Sequence, residues 1–295
     1  MPELTAPGGK TKESPGQTFQ TSWGISMRRI LFLAIILPCL ASCSGLGGTG
    51  PAVPVAVERQ DWARHFADAG VTGTMVLFKD GSGTAQVHDA GRAARGYLPA
   101  STFKIPNTMI ILETGAANGP DEVFPWNGTK YEVAAWNKDL SFREAFAVSC
   151  VPVYQELARR VGQQRMEHWV KAARYGNENI GGGIDLFWLQ GDLRISALEQ
   201  VEFLQRLKHD RLPFSKKNMA IVKDFMVVEQ GEGWTLRAKT GWAARSANIG
   251  WWVGWLERGN EVWYFALNID IANPGQLPAR QGVVKAVLRG EGLLP

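Results

Sequence analysis

Strand-like runs stand at both ends of the folded part of this chain, and a long helical stretch separates them. That arrangement limits the fold more than any single motif does. Gly73 to Lys79 is rich in β-forming residues, Asp80-Gly81 is a strong turn signal, and Thr84 to His88 can return antiparallel. Far along the chain, Thr235 to Thr240, Ile249 to Leu256 and Glu261 to Asp270 are again strand-like, the last two joined through Arg258-Gly259-Asn260. Between these blocks, Ser141 with Glu144 and Ser196 with Glu199 have capping-box spacing. Val148 ends one helix, Pro152 suits the first turn of another that Gly162 closes, and Gln163 to Ala173 reads as a third. Glu58 to Ala69 has the apolar spacing of an amphipathic helix, and Pro278 to Arg289 closes the chain as a helix. Strands so distant in sequence bury their apolar faces only by pairing with one another. The expected fold is therefore α+β, an α/β sandwich with a five-stranded antiparallel sheet flanked by helices and a mostly helical lobe inserted at about residues 98–215.

The 295 residues are 45% hydrophobic and include 12 Trp, enough for one large domain with a substantial core. The formal net charge is +4, and Lys10, Lys12, Arg28 and Arg29 against Glu3 and Glu13 place +2 of it before residue 44. The remainder is close to balanced, which gives no basis for a nucleic-acid partner. Met27-Arg28-Arg29 followed by the apolar run Ile30 to Leu40 reads as a secretory signal, too short to span a bilayer. Residues 1–26 are polar and aperiodic, so Met27 is read as the natural start and residues 1–43 as a leader. Leu40-Ala41-Ser42-Cys43 resembles a bacterial lipobox with Cys43 as the acylated residue; simple cleavage nearby is the alternative. Residues 44–57, rich in Gly and Pro, read as a flexible tether ahead of a domain at 58–295. These features place the protein outside the cytoplasm, in the periplasm, free or lipid-anchored. Cys150 alone remains in the folded part, so no internal disulfide is expected. His65, His88, His168 and His209 are scattered without metal-ligand spacing, and no metal is expected.

Ser101-Thr102-Phe103-Lys104 carries the chemistry. A serine and a lysine three residues apart share one helical face, and a helix start adds an unpaired backbone N–H. A hydroxyl needs such a neighbouring base to become a nucleophile. The S-x-x-K pattern alone is short enough to occur by chance, and Pro106 should distort the helix that follows it. Two further motifs follow in order: Ser149-x-Val151 at a tight junction between helices, and Lys239-Thr240-Gly241 at the end of a strand, where glycine permits close approach of a ligand. In isolation Trp188 reads as a core aromatic, Trp251, Trp252 and Trp255 as strand packing, and Arg280 as a surface helix residue.

Together with S-T-F-K-I-P-N, Tyr175-Gly176-Asn177, the F-W-L-x-G run around Trp188, W-W-V-G-W from Trp251 and Leu277-Pro278-Ala279-Arg280, these motifs resemble a class D (oxacillinase-type) β-lactamase of the penicillin-recognising serine enzymes. The resemblance spans about residues 58–293 and implies a β-lactamase/transpeptidase-like fold. It implies that Ser101 attacks the lactam carbonyl and is acylated. It implies that Lys104 carries carbon dioxide as a carbamate (N6-carboxylysine) and serves as general base, with no other cofactor. Trp188 would donate its indole N–H to that carbamate, among apolar walls from Phe103, Val151 and Leu189. Ser149 would relay a proton to the departing nitrogen, and the N–H groups of Ser101 and Trp242 would form an oxyanion hole. Lys239, Thr240, Gly241 and Arg280 would hold the substrate carboxylate. The partner so implied is a small-molecule β-lactam, and the function is hydrolysis conferring resistance. A penicillin-binding transpeptidase or a non-hydrolysing β-lactam sensor shares the serine and lysine and remains an alternative. Cys150 at the middle of Ser149-x-Val151 departs from a plain apolar residue and adds an oxidisable group.

Overall fold

The computed structural model describes residues 55–244 and 246–295. The leader, Cys43 and most of the tether lie outside the described residues. Seven strands form the main sheet in the order β1-β3-β2-β9-β8-β7-β6. They are β1 (Val55–Glu58), β2 (Gly73–Lys79), β3 (Thr84–His88), β6 (Val227–Gly231), β7 (Trp234–Trp242), β8 (Ile249–Arg258) and β9 (Glu261–Asp270); β4 (Val123–Phe124) and β5 (Leu140–Ser141) pair separately. All neighbours in the main sheet are antiparallel except β1 and β3. The helices are α1 (Ala63–Asp68), α2 (Ala90–Ala93), α3 (Lys104–Glu113), α4 (Phe142–Ala147), α5 (Val151–Val161), α6 (Gln163–Ala172), α7 (Ala197–Lys208), α8 (Lys216–Phe225) and α9 (Ala279–Gly290).

The sheet has seven strands rather than the expected five because both additional strands are edges. Every residue of β1 is exposed, as are the last four of β6, so neither carries the alternation that burial of one face imposes. Residues 55–57, assigned by composition to the tether, belong to β1. The expected helix from Glu58 is broken up: β1 ends there, a 3-10 turn spans Gln60–Trp62, and α1 begins at Ala63. The helical lobe also runs past 215, since Ser215 caps α8 by accepting the Asn218 N–H.

The central strands are covered on both faces. Along β8, side chains alternate, so Trp251 and Trp255 enter one core while Trp252 enters the other. Trp252 packs with Trp62 and Phe66 near α1 and with Val283, Val287 and Leu288 of α9. Trp251 and Trp255 join the larger core shared with the helical lobe, and the Trp251 indole donates to the Leu98 carbonyl at 2.8 Å. That bond ties the centre of the sheet to the segment leading into Ser101. Both capping boxes form as the spacing requires, and Pro152 lies in the first turn of α5, with Gly162 at its carboxy-terminal cap.

Candidate active site

Ser101 sits in a 3-10 turn, Ala100–Phe103, that runs directly into α3 at Lys104. The expected irregularity near Pro106 takes this form, and Pro106 itself falls in the first turn of α3, where a missing N–H costs little. Ala100 is held at φ +48, and its N–H donates to the Trp188 carbonyl at 2.9 Å. Left-handed backbone at a non-glycine residue costs about 1–3 kcal/mol and persists only where surrounding contacts impose it. The first 3-10 bond runs from Thr102 N–H to the Pro99 carbonyl, so the Ser101 N–H ahead of it has no intrahelical acceptor.

Lys104 is fully buried, and its Nζ donates to Ser101 Oγ at 3.0 Å. Burial pulls the ammonium down from 10.5 to about 7, and Nζ lies 4.8 Å from the centre of the Tyr154 ring. The wall behind is aromatic: Phe103 stacks on Trp188 at 5.7 Å and meets Phe187 and Tyr175 edge-on. The Trp188 indole N–H is buried without a hydrogen-bond partner. An unmet buried donor costs about 1–3 kcal/mol, so this one stands ready for an acceptor.

Ser149 lies between α4 and α5 at φ +55, and its hydroxyl accepts from Lys239 Nζ. Burial pushes the Lys239 ammonium well below its ordinary value, with further lowering from Lys104 and Arg280. Arg280 on α9 is anchored by two bonds of 2.8 Å, Nε to the Leu277 carbonyl and one terminal nitrogen to the Gly241 carbonyl. Burial lowers its guanidinium to about 10. No carboxylate among the described residues compensates Lys104, Lys239 or Arg280. Three basic side chains converging with no compensating carboxylate among the described residues make a site for an anionic ligand.

Gly241 brings β7 against the serine turn: a Cβ there would stand 2.9 Å from the Pro99 carbonyl oxygen and 3.1 Å from Thr102 Cγ2. Two residues on, the Ala243 N–H donates to the Ile249 carbonyl at 2.9 Å. Antiparallel alternation therefore turns the Trp242 N–H to the opposite edge of β7, beyond the reach of β6, which pairs only over residues 234–237. A cavity of about 550 Å³ opens over these groups, lined among others by Ser101, Ser149, Val151, Leu189, Thr240 and Trp242. Of the residues expected from the sequence, Phe103 and Trp188 stand behind the lysine rather than in the cavity wall, and Lys104 and Lys239 meet the cavity only through their bonds to Ser101 and Ser149.

The support beneath the serine carries no motif that marks it in the sequence. Thr102 Oγ1 donates to the Pro99 carbonyl at 2.8 Å and accepts from Gln200 Nε2 at 2.9 Å, and Gln200 also reaches the Tyr175 hydroxyl at 3.2 Å. The available signal was the position of Gln200, which shares the buried face of α7 with Leu204 and Leu207. Tyr131, Gln155 and Gln190 also line the cavity without any motif to mark them. No three His, Cys, Asp or Glu side chains among the described residues form a metal-ligand cluster.

The penicillin-binding protein transpeptidase domain matches residues 75–289 of the chain. The β-lactamase OXA-10 of Pseudomonas aeruginosa is 42% identical over 264 residues, covering 88% of this chain and 97% of that protein. OXA-48 of Klebsiella pneumoniae is 42% identical over 239 residues, covering 81% and 90%. Among solved structures, the class D β-lactamase YbXI from Nostoc superposes with a TM-score of 0.77 at 42% identity, covering 79% of this chain and 99% of that one. The class D β-lactamase FUS-1 (OXA-85) from Fusobacterium nucleatum subsp. polymorphum gives 0.78 at 38% identity, covering 81% and 100%. With a serine and a buried lysine 3.0 Å apart at the start of α3 and relatives of this kind along most of its length, the chain belongs to the class D, OXA-type β-lactamases.

Proposed function

We propose that this protein is an exported serine hydrolase that opens β-lactam antibiotics through an acyl-enzyme on Ser101. The observation that carries this reading is the 3.0 Å contact between Ser101 Oγ and a fully buried Lys104 whose ammonium is brought down to about 7. An amine at that value is substantially neutral at physiological pH and can take up carbon dioxide. The setting suits a carbamate: among the described residues no carboxylate competes for the lysine, and the Trp188 N–H lacks an acceptor. When formed, the carbamate supplies an anionic oxygen base beside the serine hydroxyl.

The remaining roles belong to the side chains and backbone in place. Lys239 and Arg280 orient the substrate carboxylate, aided by the Thr240 hydroxyl. The N–H groups of Ser101 and Trp242 receive the developing oxyanion, where one such donor is typically worth about 2.7–4 kcal/mol. Ser149, bonded to Lys239, hands a proton to the departing nitrogen. Val151 and Leu189 keep the cavity wall apolar. The leader directs export from Met27, with Cys43 as the lipidated residue that would hold the enzyme at the periplasmic membrane. Mass spectrometry of the mature amino terminus decides between lipidation and cleavage.

Steady-state turnover of a chromogenic cephalosporin by purified residues 44–295 tests the activity. Many equivalents of product are expected, whereas a single equivalent would assign the chain to the transpeptidases or sensors that stay acylated.

A further inference from the structure

The triplet at the α4–α5 junction divides between two cavities. Ser149 and Val151 face the substrate cavity, whereas Cys150 lines a second one of about 420 Å³ behind it. The second cavity lies between α5 and the segment that contains β4 and β5, and its size falls in the range of small-molecule sites, roughly 300–1,000 Å³. Its walls are aromatic. Trp126 is 41% exposed, with its indole held upright by a 2.8 Å bond to the Thr129 carbonyl. Tyr131 meets Trp136 edge-on at 6.0 Å, and both border the two cavities at once.

The rim carries three cations, each already paired with a carboxylate. Lys138, Arg159 and Arg160 line the cavity against one lining carboxylate, Glu156, which the two arginines share. Arg159 also reaches Asp185, Arg160 lies 3.8 Å from Glu122, and Lys138 lies 3.5 Å from Glu144. Exposed pairs of this kind contribute little, so an incoming anion can exchange with them. The Trp136 indole donates to the Val148 carbonyl at 3.0 Å, one residue from Ser149. A molecule pressed against Trp136 from behind therefore bears on the backbone that sets the Ser149 hydroxyl.

We propose that this rear cavity is a second small-molecule site, selective for a planar aromatic anion, and that its occupancy lowers turnover through Trp136 without competing for the substrate cavity. The binding arm of the test is independent of the proposed activity, and the kinetic arm rests on it. In titration calorimetry of the wild-type protein, 2-naphthoate should bind one to one and at least tenfold more tightly than uncharged 2-naphthol. Trp126→Ala, which removes a wall, and Val153→Phe, which fills the space, should each weaken 2-naphthoate at least tenfold while leaving ligand-free turnover within about twofold of wild type. In the wild type, saturating 2-naphthoate should lower kcat at least threefold and leave KM within twofold. No heat of binding, equal affinity for the alcohol, or a rise in KM alone that persists in Trp126→Ala would each overturn the proposal, the last by placing the ligand among Lys239 and Arg280.

Discussion

Lys239 on β7 donates to the hydroxyl of Ser149 across the cleft, so a side-chain hydrogen bond joins the sheet to the helical lobe at the candidate active site. Both partners are held rigidly, the lysine by burial and the serine by a left-handed backbone between two helices. Ser149→Ala leaves the buried Lys239 amine with only its long, 3.4 Å bond to the Thr240 carbonyl, which costs about 1–3 kcal/mol. It should also slow acylation by about 10²-fold or more, the range for a lost proton-transfer group. Stopped-flow acylation and thermal unfolding read the two effects separately; unchanged acylation would remove Ser149 from the chemistry.

Lys104 lowers the stability of the fold that it equips. Below about pH 7 both the folded and unfolded chains carry its proton, and the full burial penalty applies. Between about 7 and 10.5 the unfolded chain keeps a proton that the folded chain has released, so stability rises with pH across that window. Lys104→Met removes the charge while filling the space. In carbon-dioxide-free buffer at pH 6 it should be more stable than wild type by a few kcal/mol, with ~5 kcal/mol as the ceiling from the shift. The gain should shrink towards pH 10, and activity should be lost throughout. Denaturant melts at the two pH values check this, and a gain independent of pH would be the contrary result.

Trp188→Phe keeps the ring that stacks on Phe103 but deletes the unpartnered N–H. If that donor serves a carbamate on Lys104, the bicarbonate concentration needed for half-maximal reactivation of depleted enzyme should rise about tenfold. Carbon-13 NMR with labelled bicarbonate reports the adduct directly. An unaltered bicarbonate requirement would separate Trp188 from the lysine.

Gly241→Ala places a methyl 2.9 Å from the Pro99 carbonyl oxygen, backbone that cannot rotate away. The serine turn and β7 must part by several tenths of an ångström, costing about 1–3 kcal/mol in stability. Because the proposed oxyanion donors, the N–H groups of Ser101 and Trp242, sit on the two elements being separated, kcat should fall more than KM changes. A variant with wild-type kcat would show that the close approach serves packing alone.

Oxidation or alkylation of Cys150 should be slow in the native protein. Burial pushes its thiol up, away from the reactive thiolate. Labelling of intact and urea-unfolded protein by iodoacetamide gives the ratio; equal rates would contradict the burial.

Local chemistry sufficed wherever a few neighbouring residues set the outcome. Ser141 with Glu144 and Ser196 with Glu199 close their own helix starts, and at Asp80-Gly81 the chain turns from β2 into β3 with a local bond from the Ser82 N–H to the Lys79 carbonyl. The spacing of Ser101 and Lys104 likewise fixed which side chains could meet, because three residues span one helical turn. Tertiary structure decided the rest, for two physical reasons. The edge strands β1 and β6 are defined by hydrogen bonds to distant partners rather than by a buried face, so their residues carry no periodic signal. The state of Lys104 depends on the aromatic shell from Phe103, Tyr154 and Trp188, and that of Lys239 on a serine ninety positions away. Desolvation is a property of everything packed around an atom, and no short stretch of chain contains it.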